Sequence, residues 1–183
     1  MSRGLMIILF SVLFVPPIDA QLVDEAAVAA KRATAFLTDQ VSEQGGYLWS
    51  YSADLSQREG EGVVNTKTVW VHPPGPPAVG EAFVRLFVAT GDPQFLDAAK
   101  QAADVLRQGQ MRSGGWQDRV ELEPDRRRKW AYRIDPPSRK RKDQSSLDDD
   151  KTQSSLRFLI QLDAALGFED PVIHEMTRFA LSG

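Results

Sequence analysis

Cysteine is absent from this chain. Disulfides, thiolate metal sites and a lipid-modified cysteine anchor are therefore excluded. Histidine is scarce, with only His72 and His174. No glycine-rich phosphate loop, serine elbow or His-Glu-x-x-His motif occurs, which removes the usual signatures of phosphate-loop, serine-hydrolase and zinc-protease chemistry. Long apolar runs are also lacking. The one run, residues 5–15, is too short to span a bilayer comfortably as a helix.

That run nevertheless has a recognisable layout. Arg3 precedes it, and Pro16-Pro17-Ile18-Asp19-Ala20 follows. A positive start, a short apolar stretch and a small residue before the cut describe a secretory signal. The expectation is a signal peptide over 1–20 with Gln21 first in the mature chain; the alternative is an uncleaved anchor. An exported protein without disulfides suits a secreted or periplasmic bacterial protein. No stable membrane insertion is expected after cleavage. The remaining residues, with 42% hydrophobic content over the whole chain and a net charge of −3, suffice for one core-bearing domain over 21–183.

Helical periodicity is the main pattern. Residues 24–40 are alanine-rich, with Val28, Ala29, Ala33, Phe36 and Leu37 on one stripe. Residues 79–90 and 93–110 show the same spacing, and Pro77 and Pro93 stand at favoured helix entries. A fourth helix is expected over 151–166 and a fifth from Asp170-Pro171. Between them lie long loops. Gly45-Gly46 breaks the first helix, and Tyr47, Trp49 and Tyr51 alternate after it as in a short extended segment. The run Pro73-Pro74-Gly75-Pro76-Pro77 cannot continue a helix. Residues 117–146 show no period. They concentrate positive charge, from Arg126 to Lys142, around Trp130 and Tyr132.

The stretch around which the rest is arranged begins at Leu147. Asp148, Asp149 and Asp150 stand directly before a segment carrying Leu156, Phe158, Leu159, Ile160 and Leu162. Asp150 and Gln153 have capping-box spacing. Few faces of this helix are left polar, so burial on several sides is expected. The three acids suit a hard cation, which prefers oxygen ligands. They equally suit a plain helix start, where negative charge favours the macrodipole.

An internal repeat sets the expected architecture. At a shift of 69 residues, Ala29, Ala30, Lys31, Ala33, Leu37, Gly45 and Gly46 match Ala98, Ala99, Lys100, Ala102, Leu106, Gly114 and Gly115. Asp170-Pro171 likewise matches Asp92-Pro93. Repeated helix pairs bury a common core by stacking. The expected fold is all-α: an incomplete α/α toroid of helix-pair repeats with long irregular loops. One face of it would gather Trp49, Trp70, Trp116 and the acids at 148–150.

Aromatics in loops can stack on the apolar faces of sugar rings. They can equally fill gaps between helices. For Tyr47 and Trp116 the filling role is the better fit; for Trp49, Tyr51 and Trp70 both stand. The basic loop suggests an anionic ligand, or else a solvated surface. Export and overall negative charge argue against nucleic acid, leaving an acidic polysaccharide as the polyanion of interest.

Four stretches carry a resemblance to a known family: residues 45–56, Trp70-Val71-His72-Pro73-Pro74-Gly75, Ser113-Gly114-Gly115-Trp116, and residues 147–159. The most specific is Asp148-x-x-x-Thr152-Gln153-x-x-x-Arg157-Phe158-Leu159. Over about residues 24–180 the chain resembles the pectic acid (pectate) lyases of polysaccharide lyase family ten. The resemblance implies calcium-assisted β-elimination of a polygalacturonate-type glycan, with an arginine removing the C5 proton. It puts the family's functional aspartate on Asp148; with the acidic cluster's own chemistry, Asp148 and Asp149 are the metal candidates. Asp148, Trp49, Tyr51, Trp70 and Trp116 are then the glycan-binding candidates. Where that family carries Asn-Gly-Ala, this chain has Asp149-Asp150-Lys151. The family's catalytic arginine and second acidic motif find no counterpart in the 183 residues. No catalytic residue is assigned, and the chain is expected to be the amino-terminal part of a lyase-like domain, inactive alone. The rival expectations are a non-catalytic acidic-glycan-binding toroid and a toroid hydrolase of unsaturated uronides, which would need paired acid and base carboxylates.

Overall fold

The computed structural model describes residues 20–62 and 64–183. Helix α1 (Ala20–Phe36) runs into a π-helical turn, Leu37–Val41. Strands β1 (Ser50–Tyr51), β2 (Arg58–Glu59) and β3 (Thr68–Trp70) follow. Next come α2 (Pro76–Thr90) and α3 (Pro93–Gly109), then β4 (Arg119–Glu121) and the single turn α4 (Pro124–Arg127). A 3-10 turn at Asp148–Asp150 leads into α5 (Lys151–Ala165), and α6 (Pro171–Ser182) ends the chain. The expected leader lies outside the described residues apart from Ala20, which opens α1. No helix among the described residues is long and apolar enough to cross a membrane.

The helices start where the sequence chemistry puts them. Pro93 and Pro171 occupy first-turn positions where a missing N–H costs nothing. Asp92 and Asp170 precede them as caps. The Asp92 carboxylate accepts from the Gln94 amide at 2.9 Å. The Asp170 carboxylate accepts from Val172 and Ile173 at 3.1 and 3.2 Å. Each cap also takes a lysine from an earlier helix: Lys31 reaches Asp92, and Lys100 reaches Asp170 at 2.8 Å. These lysines hold both carboxyls below the ordinary aspartate range, with the amide bonds adding to the effect.

Helix α2 packs on α3 and α5, and α5 packs on α6. Phe83, Phe95, Leu106, Phe158, Leu159 and Leu162 are essentially removed from solvent between them. The closest approach lies at Gly80 on α2, where an added Cβ would stand 2.3 Å from the Phe158 ring. Gly80 lets the two helices meet backbone to ring.

Two expectations fail here. The described chain is not all-α, because two antiparallel pairs of strands stand beside the helices. β1 pairs with β2, Ser50 opposite Glu59; β3 pairs with β4, with Thr68, Val69 and Trp70 opposite Glu121, Val120 and Arg119. Val69 and Val120 are fully buried. Strands of two or three residues are too short for alternation to register. Nor is a toroid repeat shown. The alanines that match between α1 and α3 sit in opposite environments. Ala98, Ala99 and Ala102 are buried in α3, whereas their counterparts Ala29, Ala30 and Ala33 in α1 are exposed or only partly buried. Small residues in a matching pattern do not by themselves bring a second face into the core.

The basic stretch at 117–146 is built, not loosely solvated. Tyr132 is fully buried, and its hydroxyl accepts from the Glu121 amide at 3.0 Å. Asp135 gathers Arg127 at 2.9 Å and Arg141 at 3.2 Å. Burial pushes the Tyr132 phenol well above its usual range.

Substituting Gly80→Ala is expected to cost about 1–3 kcal/mol, because Phe158 has to leave its position against α2. Urea unfolding of the wild type and variant measures it; equal midpoints would mean α2 and α5 have room to part.

Candidate functional site

The amino-terminal end of α5 is tied to the Gly-Gly-Trp turn. Thr152 Oγ1 accepts from the Trp116 amide at 3.1 Å. The approach requires Gly115, where a Cβ would stand 2.4 Å from Thr152 Oγ1. Trp116 itself points inward. It is fully buried and donates its indole N–H to the Leu106 carbonyl at 2.8 Å. It fills the core and presents no ring to a ligand.

Before α5 the backbone takes an unusual path. Asp149 (φ 49°) and Asp150 (φ 58°) are both left-handed, a region that costs a non-glycine residue about 1–2 kcal/mol. The capping box does not form: Asp150 makes no side-chain cap bond, and the Gln153 amide donates instead to the Leu147 carbonyl at 2.6 Å. The Asp150 carboxylate is held by the Arg157 guanidinium, which keeps its carboxyl below the ordinary range. Lys151, the first residue of α5, is buried, with Nζ 3.4 Å from Asp149 and 4.0 Å from Asp148.

This acidic rim lies beside a buried aromatic cluster. His72 is 4% exposed. Trp49 lies edge-on to it at 4.6 Å between ring centroids, and Trp70 lies edge-on at 6.0 Å. The Trp49 indole donates to the His72 carbonyl at 3.2 Å. The Trp70 indole donates to His72 Nε2, also at 3.2 Å. An indole N–H can only donate, so Nε2 is the unprotonated nitrogen and the ring proton sits on Nδ1. Glu61, at 3.6 Å from Nε2, is then a nearby charge and not a hydrogen-bonded partner. Nδ1 is buried with no partner among the described residues. Burial lowers the His72 pKa and Lys151 adds to this, while Glu61, Asp149 and Asp118 act in the opposite sense. The imidazole is a neutral group set among charges.

Trp70 is 3% exposed. Gly60 lies against one part of its ring, and the Arg119 guanidinium stands 4.6 Å from the ring centroid. Arg119 in turn pairs with Asp118 at 3.0 Å. Tyr51 is half-buried, and its hydroxyl accepts from the Leu48 amide at 2.6 Å. Of the four aromatic candidates, Trp49 and Tyr51 keep partial exposure, while Trp70 and Trp116 lie inside the protein. Asp148 and Asp149 are exposed at the rim.

Glu61, Asp118, Arg119 and Lys151 also belong to this face, and the sequence does not single them out for it. Arg119 arrives through its pairing opposite Trp70, a register that no periodicity announces. Lys151 reads as an ordinary helix residue until its neighbours are known.

The acids do not form a cation cage. Calcium takes about six to eight oxygen ligands. Among the described residues, no group of three or more histidine, aspartate or glutamate side chains stands where it could hold a metal ion. Asp149 and Asp148 face an ammonium, and Asp150 faces a guanidinium. This donor set does not fit a calcium ion. No family model, curated protein or solved structure matches the chain.

The buried imidazole makes stability pH-dependent. An unfolded histidine takes its proton near pH 6.5, whereas folded His72 stays neutral to lower pH. Folded stability is therefore complete above that value and declines as pH falls towards the folded-state pKa. His72→Gln keeps an acceptor for the Trp70 indole and removes the titration. Urea unfolding across roughly pH 5 to 7 should give a flatter acid limb in the variant. An identical limb would place the proton uptake elsewhere.

Proposed function

We propose that this chain is a pectate-lyase-like glycan-binding protein, which binds an acidic polysaccharide of polygalacturonate type outside the cytoplasm. One observation carries the reading: the four stretches that resemble the family join in two contacting pairs, and charged groups of the second pair act on His72 of the first. Trp70 N–H donates to the Tyr47 carbonyl at 3.3 Å. Trp49 joins the His72 carbonyl, and Trp116 joins Thr152 at the head of α5. Lys151 and Asp149 act electrostatically on His72. These segments are separated by up to about a hundred residues along the chain.

The aromatic surface of the face agrees with holding a sugar ring. Trp49 offers a partly exposed aromatic surface for the axial hydrogens of a pyranose. Arg119, paired with Asp118, stands over the enclosed Trp70 ring on the same face. Cleavage is a separate matter. The proton-abstracting arginine of the resembled family has no counterpart by motif in this chain, so binding without β-elimination is the expected behaviour of this polypeptide.

Isothermal titration with tetragalacturonate is expected to show saturable binding, and Trp49→Ala should weaken it about fivefold or more, in line with loss of one aromatic contact. No unsaturated product should accumulate in the ultraviolet. Absence of binding by the wild type would remove the acidic-glycan reading altogether.

A further inference from the structure

The cations of the α5 face are already spoken for. Arg119 pairs with Asp118, Lys151 with Asp149 and Asp148, and Arg157 with Asp150. With Glu61 added, the face carries no surplus of positive charge. A polymer bearing one carboxylate per sugar has to find that surplus next door.

It stands on the other side of Arg119. A recess of about 440 Å³ opens between Asp118, Arg119, Glu121, Arg126, Lys129 and Trp130, within the roughly 300–1,000 Å³ usual for small-molecule sites. Glu121 is buried and accepts from Thr68 Oγ1 at 2.8 Å, which turns its carboxylate into the protein. Asp118 is taken by Arg119. The Arg126 and Lys129 side chains, by contrast, have no ion-pair or hydrogen-bond partner among the described residues. Their neighbours in sequence do: Arg127 is held by Asp135 and Arg128 by Asp125. Trp130 is half-buried on the same wall. Two uncompensated cations beside an aromatic ring make a site for an anion attached to an apolar surface.

We propose that this recess is a uronate subsite: Arg126 and Lys129 bind the carboxylate of one sugar, and the Trp130 ring lies against that sugar's apolar face. The inference rests on the acidic-glycan reading and adds a second position to it. Asp118 and Arg119 border both places, since Arg119 lines the recess and stacks on Trp70. The Trp49 face and the recess are therefore neighbours that share Arg119, the recess carrying the free positive charge. A sulfated sugar shares the chemistry of a charged pyranose and differs in the anion.

The test uses the full chain, with the Trp130 indole signal assigned through Trp130→Phe. Tetragalacturonate should shift that signal. The exposed double variant Arg126→Gln/Lys129→Gln should fold normally and bind tetragalacturonate on the order of tenfold more weakly. Fully methyl-esterified tetragalacturonate should bind the wild type as weakly as the double variant binds the acid. A sulfated tetrasaccharide that binds tighter than tetragalacturonate, with the same loss in the double variant, would overturn the uronate assignment in favour of a sulfate site. Wild-type binding that survives unchanged in the double variant overturns the subsite and leaves the acidic-glycan reading standing. A Trp130 signal moved equally by inorganic sulfate overturns it too, as a general anion patch. No binding of tetragalacturonate by the wild type overturns both.

Discussion

The hydrogen bond between Thr152 Oγ1 and the Trp116 amide is the constraint on which the site depends. It ties the first turn of α5 to the Gly-Gly-Trp turn, and only a glycine at 115 permits the approach. A helix start otherwise leaves several amides and a free choice of direction. Here the direction is fixed from outside the helix. Lys151 is thereby held beneath the rim, with Asp148 and Asp149 over its ammonium. Trp116, on the other side of the bond, is driven into the core as far as the Leu106 carbonyl. One contact thus couples the buried packing of α3 and α5 to the charged surface beside His72.

Helices α2, α3, α5 and α6 were legible from periodicity because each buries a stripe long enough to be counted. α2, α3, α5 and α6 fall close to the expected spans, and Asp92-Pro93 and Asp170-Pro171 announce their helices by capping chemistry. The strands were not legible. β3 and β4 are three residues each, and their pairing brings Arg119 opposite Trp70 from a distance no local pattern encodes. The ring of helix pairs was inferred from matching alanines, but a small residue matches as easily on an exposed helix as on a buried one. α1 and α3 show the difference. The aromatics divided on a similar point. Trp49 and Trp70 look alike in sequence, and only the Gly60 backbone and the Arg119 guanidinium against Trp70 decide that it is enclosed.

Charge tells a related story. Three consecutive aspartates read as a site for a cation, yet each acid meets a cationic side chain within its own turn of structure or one turn beyond. Two left-handed residues in succession hold them there. Such conformations persist where neighbouring contacts over-determine them. At Asp149 and Asp150 those contacts are Lys151 below and Arg157 ahead. A lysine ammonium brings one charge on a flexible stem, where a divalent ion would bring two and organise several oxygens around itself. The acids are therefore arranged around the protein's own cations, and the geometry around them is that of ion pairs.

The same comparison separates the two parts of the basic loop. Asp135 draws Arg127 and Arg141 inward, and Arg127 also lies 4.5 Å over the buried Tyr132 ring. These guanidiniums build the fold of that segment. Arg126 and Lys129 lie on the same short stretch and take no part in it. If positive charge there served only to hold the loop, the residues facing the recess could as well be neutral. A loop that compensates some of its cations and leaves adjacent ones open, against a half-buried tryptophan, places free charge at one spot. That spot shares Arg119 with the tryptophan–histidine cluster. The shared guanidinium, fixed by Asp118 on one edge and by the Trp70 face on the other, makes the two surfaces a single continuous one.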